Sequence, residues 1–204
     1  MNYLAHIYLS GDDDFVKIGN FIADGIKGRK YELFPKEIQR GILLHRQIDW
    51  FTDNNDIVKI SKRRLDSQYG HYKGVIIDIF YDHFLARNWN DYSKIQLQSY
   101  VHTFYSILHD HYKILPERIK YMMPFMIQND WLTNYAKLEG IEKVLIGMNK
   151  RTKERSKMHL AIDDLNEHYK EFDQDFTLFF EELCNFSALK LEEIKRDLSQ
   201  NDTE

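Results

Sequence analysis

Apolar residues recur along this chain at spacings of three and four, which is the period of an amphipathic α-helix. The pattern is clearest in four segments, residues 38–51, 75–89, 95–108 and 176–198. Residues 3–9 alternate like a short strand, but they also fit one helical face, and no alternating run bounded by turn dipeptides predicts a sheet. The pattern therefore predicts an all-α protein with about eight to ten helices, given common helix lengths.

Helix boundaries follow from a few residues that start or interrupt helices. Asp13 or Asp14 is predicted to cap a helix that runs through residues 15–26. Pro35 is predicted to occupy the first position of the next helix, where a missing N–H costs nothing. Pro124 is predicted to kink or break the helix that contains it, because proline removes a hydrogen bond of the helix interior.

Length and composition predict one packed domain. The chain has 204 residues, of which 43% are hydrophobic and 29% charged, and no linker rich in Pro, Gly or Ser divides it. Residues 1–204 are therefore predicted to form a single compact multi-helix domain. The single cysteine, Cys184, excludes a disulfide framework and a thiolate zinc cluster. We find no signal-peptide pattern and no apolar run long enough to span a membrane, so a cytoplasmic protein is expected.

Charge is unevenly distributed along the chain. The formal net charge is -4, which argues against a nucleic-acid binder, but residues 27–73 hold 11 Lys/Arg against 6 Asp/Glu. Residues 139–204 hold 10 Lys/Arg against 16 Asp/Glu. The basic segment favours an acidic partner or a phosphate, and its alternative explanation is an ordinary solvated helix surface.

The most informative polar residues lie in the apolar segment 74–85. Asp78 and Asp82 are four residues apart and share one helical face, and His83 follows at the edge of that face. Burying an unpaired carboxylate costs several kcal/mol, so these groups are expected to face a partner. A bound metal ion is the simplest partner for this combination of side chains.

A second polar stripe consists of His45, Asp49 and Asp53, at successive four-residue steps, with Arg46 beside it. A planar guanidinium such as that of Arg46 is suited to holding two phosphate oxygens. The stripe has a simpler explanation as charge pairing on a helix surface, and Asp53 as a turn or cap residue.

Asp24, at a glycine-flanked helix end, and His6, in the apolar first segment, would complete one site if these segments pack together. Mixed carboxylate and imidazole ligands point to Mn²⁺, Fe²⁺, Mg²⁺ or Zn²⁺. Such an ion supplies hydroxide at neutral pH, and a neighbouring carboxylate accepts the proton of the water. His6 is equally well explained as a hydrogen-bonded helix histidine.

A competing metal site is His109-Asp110-His111, with His102 seven residues before His109 on the same helical face. The residues that follow, among them Pro116, indicate a helix end near solvent, so this alternative is less favoured.

Several motifs in order resemble those of the bacterial acyl carrier protein phosphodiesterases. They are MNYLAH at 1–6, GNFIAD at 19–24, GILLHRQIDxFTD at 41–53, DIFYDHFLARNW at 78–89 and NDWLxxY at 129–135. The resemblance implies an all-helical, HD-domain-like fold from a non-canonical branch of the HD phosphatase and phosphodiesterase superfamily. It also implies hydrolysis of the phosphodiester that joins 4′-phosphopantetheine to a serine of holo-acyl carrier protein, with Mn²⁺ preferred and Fe²⁺ or Mg²⁺ as alternatives.

The residues and the resemblance together assign two sets of site residues. The predicted metal ligands are Asp24, His45, Asp78, Asp82 and His83. The predicted catalytic residues are His6, Arg46, Asp49 and Asp53. The adjacent pair reads Asp-His rather than the His-Asp of ordinary HD enzymes, so individual roles are not transferable.

The predicted partner is the acidic acyl carrier protein, docking on the basic segment 27–73. Two alternatives are an HD-like phosphohydrolase of a nucleotide or other small phosphoester, and a non-catalytic helical protein that binds a carrier.

Overall fold

The structure, a computed structural model, describes residues 2–200, and within them all regular structure is helical. The all-α prediction is therefore confirmed. The α-helices are α1 (Tyr3–Tyr8), α2 (Asp14–Ile22), α3 (Lys36–Asn54), α4 (Asp56–Arg64), α5 (Lys73–Arg87), α6 (Trp89–Tyr92), α7 (Leu97–Asp110), α8 (Glu117–Gln128), α9 (Trp131–Asn134), α10 (Leu138–Arg151), α11 (Ala161–Glu167) and α12 (Tyr169–Gln200). Short 3₁₀ turns connect them at Ala23–Gly25, Gly28–Leu33, Ser67–Tyr72, Tyr112–Ile114 and Met158–Leu160.

The four apolar segments correspond to α3, α5, α7 and α12. Within residues 2–200 the structure has 12 α-helices, more than the eight to ten predicted. The excess comes from α1, α6 and α9, which have four to six residues each. Helices this short span less than two turns, so they display too little of the 3.6-residue period to be recognised.

Helix α2 begins as predicted but ends early. The carboxylate of Asp13 accepts hydrogen bonds from the backbone N–H groups of Phe15 and Val16, at 2.9 and 3.1 Å, so Asp13 is the cap. The helix ends at Ile22 instead of reaching Ile26, because a 3₁₀ turn takes over at Ala23. This turn brings the chain to Asp24 at the edge of the site.

One proline prediction is wrong, and the helix break predicted at the other proline is excluded. Pro35 is the capping residue of α3 rather than its first helical residue. Pro124 lies inside α8, which continues to Gln128, so the helix is not broken there.

Two glycines allow α2 and α3 to pack with their backbones in close contact. A Cβ atom added to Gly19 would lie 2.1 Å from the carbonyl oxygen of Ile38. A Cβ atom on Gly41 would lie 2.1 Å from the carbonyl oxygen of Val16. The close approach matters for the site, because α3 carries its polar stripe on the side that faces α2.

Helix α5 passes through the centre of the molecule, and α12 packs across α3, α4 and α5. Residues 79–86 of α5 are all buried, so α5 is surrounded on every side. The buried side chains form one continuous core, which makes residues 2–200 a single compact helical domain. Within these residues, no helix combines the length and the low polarity needed to cross a bilayer.

Candidate active site

The site is built around two stacked imidazole rings contributed by α1 and α3. The ring centroids of His6 and His45 are 4.0 Å apart, and their planes differ by 19°. Both side chains are buried, with 3% and 7% of the residue surface exposed. They are 39 positions apart in the sequence, and the packing of α1 against α2 and of α2 against α3 brings them together.

Two carboxylates face the Nε2 atoms of these rings. Asp49 Oδ1 lies 3.3 Å from His6 Nε2, and Asp49 Oδ2 lies 3.1 Å from His45 Nε2. Asp24 Oδ1 lies 3.3 Å from His45 Nε2. Unlike the rings, both carboxylates are about half exposed, so this side of the cluster opens to solvent.

Asn20 contacts both of the chain segments that carry the stacked histidines. Its side-chain amide donates to the carbonyl oxygen of His6, at 2.8 Å, and to the hydroxyl of Ser10, at 3.0 Å. His45 Nδ1 lies 2.9 Å from the carbonyl oxygen of Asn20, so it carries a proton and leaves Nε2 directed at the carboxylates. The sequence prediction did not include Asn20, although a fully buried amide inside the motif at 19–24 was an available signal.

The proximity of these groups shifts their pKa values in opposite directions. Burial alone would lower the pKa of His45, but hydrogen bonds to Asp24 and Asp49 outweigh it and raise the pKa to about 9. Burial and the neighbouring His45 lower the pKa of His6 to about 4. The hydrogen bonds from the histidines hold the pKa of Asp49 well below its usual range, despite the burial of that carboxylate.

The carboxylates of the cluster line a cavity of about 750 Å³. One wall carries the acids Asp24, Asp49, Asp53 and Asp78. The facing wall comes from the later part of the chain, residues 118–151, and carries one acid, Glu139, and four cations, Arg118, Lys137, Lys143 and Arg151. The basic groups of the cavity thus all come from residues 118–151, whereas four of its five acids come from residues 24–78.

Asp78 and Asp82, one turn apart on α5, have different surroundings. Asp78 lines the cavity, and burial raises the pKa of its carboxyl. Asp82 is fully buried and accepts hydrogen bonds from the N–H groups of Leu4, at 2.7 Å, and Ala5, at 3.2 Å. Its two oxygens are thus bound to the first turn of α1, so its contacts do not support the prediction that it binds a metal. They make Asp82 the residue that holds α1, and with it His6, in place.

His83 is engaged elsewhere through both of its ring nitrogens. Nδ1 lies 2.7 Å from the carbonyl oxygen of Tyr135, and Nε2 lies 2.7 Å from the hydroxyl of Tyr169, which also accepts from Arg87. No ring nitrogen remains for a metal ion, and these contacts do not support the prediction that His83 is a ligand. Because Tyr135 lines the cavity, His83 instead anchors part of its wall.

Arg46 turns away from the acids. Its guanidinium donates to the carbonyl oxygens of Ile26, at 3.1 Å, and Gly28, at 2.7 Å, and stacks over the ring of Tyr31. It is not among the residues that line the cavity. The prediction that Arg46 binds phosphate therefore has no support from its contacts, whereas Asp53 does line the cavity and also pairs with Lys62, at 3.0 Å.

The competing site at His109-Asp110-His111 lies at the exposed end of α7. The side chains of His109 and Asp110 are 80% and 75% exposed, and His111 packs against the ring of Phe15. These residues do not line the cavity. Their exposure agrees with the helix end near solvent that the sequence indicated.

The donor atoms of His6, His45 and Asp49 fit a divalent metal ion. One ligand atom from each residue lies within 4.8 Å of the ligand atoms of the other two. Within residues 2–200, these are the His, Cys, Asp or Glu residues that are close enough together for three of them to share a metal ion. Two imidazole nitrogens and a carboxylate oxygen are ligands that Mn²⁺, Fe²⁺ and Zn²⁺ accept. The arrangement is compatible with a divalent ion and does not by itself select one.

Comparisons with known proteins identify the family of this chain. A family model described as acyl carrier protein phosphodiesterase matches residues 1–183. The acyl carrier protein phosphodiesterase of Photorhabdus laumondii is 30% identical over 181 residues, covering 88% of this chain and 91% of the relative. That of Yersinia enterocolitica is 29% identical with 88% and 94% covered, and that of Escherichia coli is 30% identical with 88% and 94% covered. No solved structure matches the chain.

The helical fold and the family match define the class of the protein, a helical hydrolase of the phosphodiesterase type. The chain belongs to the acyl carrier protein phosphodiesterase family.

Proposed function

We propose that this protein is a metal-dependent phosphodiesterase that releases 4′-phosphopantetheine from holo-acyl carrier protein and leaves apo-acyl carrier protein. The observation that carries the proposal is the grouping of His6, His45 and Asp49 beside a cavity, in a chain that belongs to this family. The cavity, about 750 Å³, is large enough for a prosthetic group of this kind, since small-molecule sites typically measure about 300–1,000 Å³.

In this proposal His6, His45 and Asp49 would hold the ion, and Asp24, which contacts His45, is a further carboxylate beside them. Mn²⁺ is the favoured ion by family resemblance, with Fe²⁺ and Mg²⁺ as alternatives. When bound, the ion acts as a Lewis acid toward water and a phosphoryl oxygen. Asn20 orients both imidazoles, since it contacts the backbone of His6 and the Nδ1 atom of His45. His6 and Asp49, which the sequence predicted to be catalytic residues, are thus assigned as metal ligands in this proposal.

Hydrolysis requires a proton to reach the serine oxygen that leaves the phosphorus atom. A new bond forms between water oxygen and phosphorus, and the bond from phosphorus to the serine oxygen breaks. Asp78 lines the cavity, and its raised pKa favours the protonated carboxyl, which suits it to donate that proton. Asp53, on the same wall, is the second carboxylate available to accept the proton of the attacking water.

The proposal is tested by incubating the purified protein with holo-acyl carrier protein in the presence of Mn²⁺, Fe²⁺ or Mg²⁺. Intact-mass spectrometry should show the carrier losing one phosphopantetheinyl group, and chelation should stop the loss. A parallel panel of nucleotides and small phosphodiesters gives the comparison. Turnover of a nucleotide in preference to the carrier would contradict the proposal, as would the absence of apo product with every ion.

A further inference from the structure

The cationic wall of the cavity, which we define as Arg118, Lys137, Lys143 and Arg151, faces the acids of the site. Lys143 and Arg151 lie on one face of α10, at positions separated by eight residues, with Gly147 midway between them. A side chain at Gly147 would meet nothing within 4 Å, so the space along this face is open. Lys137 precedes α10, and Arg118 is in the first turn of α8.

These cations have no acidic partner among residues 2–200. All four are exposed, and within residues 2–200 none of them forms an ion pair. Of the acids across the cavity, Asp24 and Asp49 contact the histidines, and Asp53 pairs with Lys62. Positive charge beside the cavity is therefore available to a ligand or partner.

The basic segment 27–73 offers much less free charge than its composition indicates. Seven of its cations are engaged: Arg29 with Glu32, Lys36 with the carbonyl oxygen of Leu198, Arg46 with two carbonyl oxygens, Lys59 with Asp56, Lys62 with Asp53, Arg64 with Asp175, and Lys73 with the carbonyl oxygen of Leu65. The cavity-lining residues from this segment are Asp49, Thr52 and Asp53, none of them basic.

Large apolar side chains are exposed on the same two helices as the cationic wall. Tyr121 and Phe125 on α8 are 77% and 49% exposed and contact each other, and Ile146 on α10 is 37% exposed. Exposed aromatic residues flanked by cations are typical of protein interfaces rather than of small-ligand subsites.

We propose that the cationic wall, with the exposed apolar residues of α8 and α10, is the surface on which an acidic carrier protein docks, and that segment 27–73 is not. This inference rests on the proposed function. The spacing of the charges favours a protein over a single phosphate group, because eight residues of α-helix separate Lys143 and Arg151 by about 12 Å. Carboxylates spread over a helix surface can meet charges at that distance, whereas one phosphate cannot.

The test compares two double variants that each remove two exposed cations. Lys137→Ala with Lys143→Ala alters the cationic wall, and Lys30→Ala with Arg63→Ala alters segment 27–73. We expect the first variant to raise KM for holo-acyl carrier protein about tenfold at low salt, with kcat within about twofold, and the difference to shrink at high salt. The second should leave KM unchanged.

Two further measurements identify what the cations bind. Hydrolysis of bis(4-nitrophenyl) phosphate, a diester without a protein part, should be the same in both variants and the unaltered protein. Anisotropy of a fluorescently labelled holo-acyl carrier protein should report the same loss of affinity without depending on turnover. Binding is thus measured even if the unaltered protein releases no apo product, a result that would sink the proposed function alone.

Three outcomes would overturn the docking assignment. Equal affinities of the cationic-wall variant and the unaltered protein would show that these charges do not meet the carrier. A loss of affinity only in the Lys30 and Arg63 variant would return the docking surface to segment 27–73. An equal loss of hydrolysis of the small diester would show that the cations bind phosphate inside the cavity.

Discussion

At the scale of single residues, the surroundings of a side chain decide its role more than its type or its position in a motif. Asp78, Asp82 and His83 belong to one short stretch of α5, yet Asp78 faces the cavity, Asp82 holds α1 and His83 holds Tyr135. The sequence indicated that each needed a polar partner. It could not distinguish a metal from a backbone group, because apolar residues of α5 surround all three side chains and give no sign of what each one meets.

Asp82 should be essential for positioning His6. In Asp82→Asn the side-chain amide nitrogen would face a backbone N–H of α1, which leaves a buried donor without an acceptor. We expect a loss of stability of about 1.5–3 kcal/mol and a fall in metal affinity of about 10- to 100-fold. Thermal unfolding and metal titration measure the two effects.

The matched control for this change is Asp13→Asn. Asp13 also accepts two backbone N–H groups at a helix start, but it lies near solvent, where asparagine caps a helix about as well as aspartate does. The control should change neither stability nor metal affinity appreciably. An Asp82→Asn protein with the stability and metal affinity of the unaltered protein would refute the positioning role.

The pKa of His45 predicts how the metal-free protein responds to pH. Because the folded-state pKa of about 9 exceeds the ordinary value of 6.5, protonation of His45 stabilises the fold below about pH 6.5, and this stability is lost as the pH rises to about 9. Burial raises the pKa of Asp82 to about 7, so most of its contribution changes below pH 7, and the larger part of the change from pH 7 to 9 belongs to His45.

We therefore expect the melting temperature of the metal-free protein to fall by several degrees between pH 7 and 9. Each kcal/mol lost from the free energy of unfolding lowers the melting temperature by about 2–4 °C. The fall should be absent in His45→Gln and present in His71→Gln, since His71 is exposed. Calorimetry in the presence of chelator makes the measurement. A melting temperature that is constant or rises over this range would contradict the assigned protonation of His45.

At the scale of helices, the site depends on how closely α2 and α3 pack. Gly19→Ala would place a Cβ atom 2.1 Å from the backbone of α3 and force the helices apart. We expect a loss of stability of about 1–3 kcal/mol, together with weaker metal binding, because α2 carries Asn20 and α3 carries His45 and Asp49.

Gly147→Ala is the matched control at this scale. The added methyl group would meet nothing within 4 Å, and alanine is the better helix former by about 0.5–1 kcal/mol. This variant should therefore be slightly more stable than the unaltered protein. Equal melting temperatures for the two glycine variants would contradict the close packing of α2 and α3.

The helices were predictable to the extent that their period was visible. The long apolar segments gave α3, α5, α7 and α12, since each displays several turns of one buried face. Helix α1 was not predictable with certainty from six residues, because its stability comes from the contacts that Asp82 makes with its first turn. Contacts of this kind join residues almost 80 positions apart and leave no local pattern.

At the scale of the whole molecule, the fold joins an acidic wall from the first half of the chain to a cationic wall from residues 118–151. The sequence allowed His45, Asp49 and Asp53 to be grouped, since these residues share one face of α3. It did not reveal which cations are free, because charge counted along segment 27–73 does not show that many of those cations pair within the segment or with α12. Tertiary contacts decide which charges remain available to a partner.

The central claim is that His6, His45 and Asp49 hold a metal ion that this protein needs in order to cleave holo-acyl carrier protein. Asp49→Asn removes the carboxylate that contacts both histidines, and Asp56→Asn makes the same change at an exposed residue paired only along its own helix. The most direct measurement is calorimetric titration of Mn²⁺ into each protein, combined with the rate of apo-carrier formation. We predict that Asp49→Asn loses Mn²⁺ binding and at least about 100-fold in rate, while Asp56→Asn retains both. Unchanged Mn²⁺ binding and turnover in a folded Asp49→Asn protein would contradict the claim.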